Sequence, residues 1–324
     1  MNKQNLCEPI LLESMSSGYI IDNGTFVQMG INDFGNLNVP GGTPAWGYDT
    51  TVVGLRYILT NGDSTSPGCL CEGWGVANAD DSTGIFSAYA NIAEGTANLS
   101  TQLGTGLTNT TGQIRPESVG SAFKSIVRDN SNRVEVTHDY KPSSISQNLY
   151  QVDVTIKNID DSQIGDLRYR RVMDWDIPPH VFNEFVEIHV GDSNNLLWAT
   201  TDGFQSADPL SSPGPYAGAP PTTLIKGSPD YFGGPTDQGS LFDFKFGTLE
   251  PGEEKKFTIF YGATENRDDA LIALSAVKAE VYSLGIPSDD SGKASLNGPN
   301  IFMFAFQGVG GTPIPSPSRG ISFF

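Results

Sequence analysis

Cations are scarce in this chain. Lysine and arginine total 19 against 37 aspartates and glutamates, a net charge of −18 over 324 residues. Phosphate binding needs clustered cations, so this balance argues against nucleic acid and against an anionic membrane surface. Long apolar runs are missing as well. No segment reaches the roughly 18 apolar residues that a membrane-spanning helix needs, so no span is predicted. The opening stretch holds one lysine, and Ile10-Leu11-Leu12 is too short for the core of a secretory leader. Histidine is limited to His138, His180 and His189, and no Gly-x-Ser-x-Gly elbow accompanies them, which leaves a serine triad without an anchor. The glycines at 308, 310 and 311 lack the Lys and Ser/Thr of a phosphate loop.

Cysteine is the next scarcity. Cys7 stands alone in a polar amino-terminal arm, and Cys69 and Cys71 sit together in Gly68-Cys69-Leu70-Cys71-Glu72-Gly73-Trp74-Gly75. A zinc site wants four Cys/His ligands at recurrent spacings, and this loop offers two thiols with no nearby histidine. The readings left open are a disulfide within the loop, a disulfide from Cys7 to a loop cysteine, an intermolecular bond through Cys7, and reduced thiols. An odd cysteine in an exported protein suggests pairing between chains. Cys7 is therefore assigned to a cross-link, and Cys69 and Cys71 to a structural disulfide loop.

What the chain does have is strand grammar. Val152, Val154 and Ile156 alternate with polar residues, as do Phe242, Phe244 and Phe246. Period two means one buried face and one wet face, the pattern of a half-buried antiparallel strand. Pro251 presets the first central residue of a turn and Gly252 supplies a positive φ at the second, a type II hairpin signal leading into Phe257, Ile259 and Tyr261. Phe123 to Arg128 and Arg133 to Tyr140 read as a hairpin, and Leu167 to Trp175 as the hairpin partner of Tyr150 to Lys157. One helix is expected, from Thr264–Asp268 to a left-handed stop at Gly285, with Ala270, Leu271, Leu274, Val277 and Val281 at helical spacing. Residues 206–239 are rich in Pro, Gly and Ser and read as a long surface excursion.

The pattern predicts an all-β fold: a large antiparallel β-sandwich, or two packed ones, with one helix of the carboxy-terminal half packed on a sheet. Residues 1–18 form an arm, 19–311 the body (with candidate halves 19–140 and 150–311), and 312–324 a Pro/Ser-rich tail with an apolar tip.

Few residues offer chemistry. Asp174-Trp175-Asp176-Ile177-Pro178-Pro179 places two carboxylates around a tryptophan, with Glu184 and Glu187 following. Residues i and i+2 on a strand share a face, so Asp174 and Asp176 are the candidate acid and base of a glycosidase, which needs two carboxyl groups roughly 5–9.5 Å apart. The blander reading gives them an ion pair with Arg168, Arg170 or Arg171, or a calcium ion. Asp160, Asp161 and Asp166 cluster near one turn and are calcium candidates, without EF-hand spacing. Asp80-Asp81 and Asp289-Asp290 are further acidic loop pairs. Trp46, Trp74, Trp198, Tyr216 and Tyr231 are candidates to line a glycan groove, with core or loop-staple roles as the alternative.

At Val53-Gly54-Leu55-Arg56-Tyr57, Pro67 to Gly75, Arg170-Arg171-Val172-Met173-Asp174-Trp175-Asp176 and Phe302 to Gly311, the chain resembles a poorly characterised family of bacterial exported β proteins. Members of that family often carry PEP-CTERM-type sorting tails. The resemblance covers roughly residues 19–311 and implies location more than activity. The chain departs from the pattern in showing no evident leader and in ending with Thr312 to Phe324 rather than a spanning helix followed by basic residues.

The expectation is a non-enzymatic structural or adhesive protein, extracellular or on a cell or spore surface, that self-assembles into a layer or filament. Its partners would be copies of itself and surface glycans. Ile10, Leu11 and Leu12, or Ile321, Phe323 and Phe324, are the segments expected to insert into a neighbour. The alternative is a carbohydrate-binding or glycoside-hydrolysing sandwich working through Asp174-Trp175-Asp176.

Overall fold

The computed structural model describes residues 18–48, 50–66, 68–108, 121–211 and 222–317. Among them the chain forms an all-β sandwich of three antiparallel sheets and a single α-helix. The ten-stranded sheet runs in the order Tyr231–Gly233, Phe185–His189, Val281–Ile286, Ile301–Gln307, Glu254–Thr264, Leu149–Asn158, Val134–Pro142, Phe123–Asp129 and Leu99–Thr101, with Gly106–Leu107 also paired to Phe123–Asp129. The seven-stranded sheet runs Thr223–Leu224, Leu196–Thr200, Gln238–Leu249, Ile164–Trp175, Gly73–Asn78, Phe86–Asn91 and Gly95–Ala97. A four-stranded sheet of Gly18–Asp22, Val27–Asn32, Leu55–Tyr57 and Gly62–Asp63 adds its own apolar residues to the shared core. Both large sheets draw strands from 19–140 and from 150–311.

Period-two alternation fills the space between the layers. Val152, Val154 and Ile156 are buried, and the polar residues between them are half-exposed. Phe242 and Phe244 of the seven-stranded sheet meet Phe304 and Phe306 of the ten-stranded sheet, with ring centroids 4.8–5.6 Å apart. Aromatic pairs prefer such edge-on contacts, and each ring buries a large apolar area. The next residue along, Asp243, turns to the opposite face and makes a two-pronged ion pair with Arg170.

Two turns behave differently from the sequence expectation. Gly252 does take a positive φ of 80°. Yet the strands it joins, Gln238–Leu249 and Glu254–Thr264, lie in different sheets, so the turn is an arch between layers and not a hairpin. Likewise Ile164–Trp175 does not pair with Leu149–Asn158; it pairs with Gln238–Leu249 and Gly73–Asn78 across the sandwich. Local turn chemistry cannot tell a hairpin from an arch, because the choice is made by which sheet buries the next apolar face.

Asn158 clips the two arches together. Its side-chain amide donates to the carbonyls of Ser162 and Leu249, each at 2.9 Å, and its backbone bonds to Glu253 and Gly252. Asn158→Ala would leave the buried Leu249 carbonyl without that donor. We expect a loss of about 1–3 kcal/mol, read from urea denaturation midpoints.

The helix is shorter than its periodicity predicted. It spans Arg267–Ala276, and Asn266 caps it by accepting from the Asp269 amide at 2.8 Å. Lys278, at φ 58°, is the left-handed residue beyond the end, in place of the expected Gly285. Val281–Ile286 is a strand, not a last helical turn; its β-branched and aromatic residues sit buried within the ten-stranded sheet. As expected, the helix packs on a sheet. Ala270, Ala273, Leu274 and Val277 cover Leu149, Phe260, Met303 and Ala305 on the outer face of the ten-stranded layer.

Candidate functional site

The strand Ile164–Trp175 carries the Asp174-Trp175-Asp176 run out of the seven-stranded sheet. Trp175 is fully buried and donates its indole N–H to Ser283 Oγ at 3.1 Å, so it is a core anchor, out of reach of a sugar. Side-chain alternation then sends Asp174 and Asp176 to the other face. Neither is open to solvent; they are 3% and 0% exposed.

The cysteine loop closes over them. The Asp176 backbone N–H donates to the Ser64 carbonyl at 2.7 Å. Cys69 Sγ lies 3.4 Å from Asp174 Oδ2. A Cβ placed on Gly68 would come 1.9 Å from Asp176 Oδ2, so only glycine lets the loop rest against that carboxyl. Cys69 and Cys71 are joined as a disulfide with Cα atoms 5.1 Å apart. Their sulfurs and an Asp174 oxygen lie within 4.8 Å of one another, the one such metal-sized set among the described residues.

Glu184 reaches the same place from the far side. Its Oε1 accepts from the Gln238 N–H at 2.9 Å, and Gln238 stands opposite Trp175 in the ladder. Glu184 is 0% exposed, and its Oε2, like both oxygens of Asp176, has no hydrogen-bond partner. Burial pushes the Asp176 carboxyl well above the usual range, and the negative charges of Glu184, Asp237 and Asp63 push it further. Glu184 is raised in the same way, by burial first and then by Asp174 and Asp237. The half-buried Tyr48 is near enough to feel both acids, although burial is the larger cause of its raised hydroxyl.

The arginines proposed as partners of this pair are engaged elsewhere. Arg168 bonds Asp166, Arg170 bonds Asp243, and Arg171 bonds Glu72. The loop candidates for calcium are dispersed. Asp166 bonds Arg168 at 2.8 Å and Lys245 at 3.2 Å, while Asp160 accepts from the Ser162 amide within its own turn and Asp161 is exposed. Asp80 and Asp289 also cap their own loops, through Ser82 and through Ser291 with Lys293.

Among the aromatic candidates, Trp74 is buried and bonds the Phe34 carbonyl, Trp198 lies under the Arg170 guanidinium, Tyr231 is half-buried, and Trp46 is 48% exposed on the 43–48 loop. His180 and His189 bond Asp290 and Asp230 at the surface, and His138 is buried against Tyr169. Cys7, Ile10, Leu11, Leu12, Tyr216, Ile321, Phe323 and Phe324 lie outside the described residues.

Sequence reasoning passed over Glu72, Asp63, Asp237 and Gly68. Glu72 was hidden by the cysteines around it, and Asp237 by the Pro/Gly-rich excursion that precedes it. The usable signal was the shortage of cations: buried acids outnumber the arginines able to answer them. No known protein-family model matches the chain, and no curated protein matches it.

Proposed function

We propose that this protein is a non-enzymatic structural component of an extracellular or cell-surface assembly, and that it associates with copies of itself through its sheet edges. The observation that carries this reading is at the ends of the ten-stranded sheet. Among the described residues, one end finishes in the short strands Leu99–Thr101 and Gly106–Leu107, where Leu103 is 99% and Leu107 43% exposed. The other finishes in Tyr231–Gly233, where Phe232 is 49% exposed. An edge strand presents unpaired backbone donors and acceptors, and apolar side chains beside it favour strand addition. Two different edges meeting head to tail make a heterologous contact, which propagates as a filament when its rotation does not close into a ring.

The likeness to bacterial exported proteins supports the surface location, and the spare Cys7 supports a reductant-sensitive link between copies. The glycosidase reading is weakened by the burial of Asp174, Asp176 and Trp175, because an acid and base must reach the sugar they act on.

Negative-stain microscopy and light scattering, with and without reductant, test the proposal. Ordered filaments or sheets are expected. Leu103→Lys combined with Phe232→Lys should disperse them, and Cys7→Ser should abolish their response to reductant. Dispersed monomers of the unaltered protein in both conditions would overturn the reading.

A further inference from the structure

A buried carboxylate persists in a fold when a cation or hydrogen-bond donors answer it. Arg56 answers Asp63 at 2.8 Å, Arg170 answers Asp243 at 2.7 Å and Arg171 answers Glu72 at 2.5 Å, with every one of these side chains at most 2% exposed. The rule breaks at the exit of Ile164–Trp175. Asp176 and Glu184 are both 0% exposed, and three of their four carboxyl oxygens have no hydrogen-bond partner. The charged neighbours that act on them most strongly are further acids. An ion withdrawn from water without a partner is strongly disfavoured.

Separate stretches of chain converge to make this place. Asp174 and Asp176 come from the strand end, Glu184 from the loop after the Pro178-Pro179 pair, and Asp237 from the start of the opposing strand. Gly68 closes the loop over the Asp176 carboxyl, where no side chain would fit. The Gln238 N–H fixes one oxygen of Glu184 and leaves the other without a donor.

We propose that Asp176 and Glu184 together hold one divalent cation of the hard, oxygen-seeking kind, calcium being the probe, with its remaining oxygens drawn from loop carbonyls and water. Calcium takes six to eight oxygens, from carboxylates and loop carbonyls, and tolerates irregular geometry. A thiophilic ion fits less well, since Cys69 and Cys71 are bonded to each other and offer no thiolate. The cation would tie the strand exit, the cysteine loop and the Glu184 loop together. The inference is independent of self-association.

Equilibrium dialysis and thermal melting at neutral pH, in calcium or in chelator, provide the test. One calcium per chain is expected, with a melting temperature several degrees higher than in chelator. The near-isosteric Asp176→Asn/Glu184→Gln variant keeps every surface acid, so it should lose that one ion and the thermal shift while retaining any loose surface binding. Should the variant fail to fold, terbium emission sensitised through Tyr48, and displaced by calcium in the unaltered protein, reads the same site. Equal calcium uptake and equal melting of the two proteins would overturn the proposal and leave the carboxyls protonated. So would indifference to calcium combined with uptake of one zinc ion after phosphine reduction, which would move the site to Cys69, Cys71 and Asp174.

Discussion

Replacing Glu72 with glutamine should cost about 3–5 kcal/mol of folding stability, the loss typical of breaking one side of a buried ion pair. Glu72 and Arg171 are both fully buried and bond at 2.5 Å. Glu72 also accepts from the Leu37 amide at 2.6 Å and from the Tyr261 hydroxyl at 3.0 Å. Arg171 donates to the Gly35 carbonyl and to the Tyr140 hydroxyl, each at 3.2 Å. Leu37 and Gly35 belong to the connection between two strands of the four-stranded sheet, Val27–Asn32 and Leu55–Tyr57, Tyr140 and Tyr261 to the ten-stranded sheet, and Arg171 to the seven-stranded sheet. One ion pair therefore joins all three layers. Glu72→Gln keeps the shape and removes the charge, so the guanidinium stays buried with no anion to answer it. Glu72→Leu combined with Arg171→Met removes both charges and should recover part of the loss, because it leaves no buried charge unpaired, although the Leu37 amide and the Tyr261 hydroxyl lose their acceptor. Urea denaturation midpoints of the three proteins decide the matter. A single variant within 1 kcal/mol of the parent, on the order of an ordinary surface substitution, would show that the node does not hold the layers together.

The strands were legible because their signal is local. Val152, Val154 and Ile156 show their buried face in their spacing alone, and so do Phe242 and Phe244. The helix start was legible for the same reason, since Asn266 and the acids after it are a cap in any context. Pairing was not legible. Tyr150 to Lys157 and Leu167 to Trp175 look like a hairpin when the turn is read by itself. What separates them is that Phe242 and Phe244 face Phe304 and Phe306 across the core, a contact that spans about sixty residues of sequence. Non-local pairing likewise turned Val281 from a helical position into a strand, because Val281–Ile286 is hydrogen-bonded between Phe185–His189 and Ile301–Gln307.

The acid pair was legible as a pair, but its burial was not. An i, i+2 spacing places Asp174 and Asp176 on one face, yet it cannot say that a loop more than a hundred residues earlier lies over that face. Gly68 carries this information, but a glycine that admits a close approach looks the same in sequence as one that serves a turn. Glu72 illustrates the converse. It sits between two features that attract attention, the cysteines and Trp74, and its partner Arg171 reads as one of several arginines on a strand.

Acid should weaken this fold through His138. Its ring is fully buried, 4.7 Å from the Trp74 ring, and Nε2 meets the Tyr169 hydroxyl at 2.9 Å. Burial, reinforced by the nearby Arg171 charge, holds its pKa well below the ordinary value of 6.5. In the unfolded chain the same imidazole takes up a proton near that ordinary value. Below about pH 6.5 the unfolded state therefore binds a proton that the folded state refuses, and each further pH unit costs about 1.4 kcal/mol until the folded pKa is reached. Stability contributed by the neutral ring is present above that range and is lost as the pH falls. Asp176 and Glu184 act in the opposite sense: with their folded pKa values raised, metal-free protein loses stability as pH rises above the ordinary carboxylate range. Those contributions are common to the parent and to a His138→Gln variant, so they cancel in the difference between the two. Glutamine retains a group able to meet the Tyr169 hydroxyl and removes the titration. The stability of the parent relative to His138→Gln should fall as the pH drops from 6.5 to 5, by an amount bounded at about 1.7 kcal/mol, measured by urea denaturation. A difference that stays constant with pH would mean that His138 is protonated in the fold, and that the Trp74 and Tyr169 cavity holds a cation.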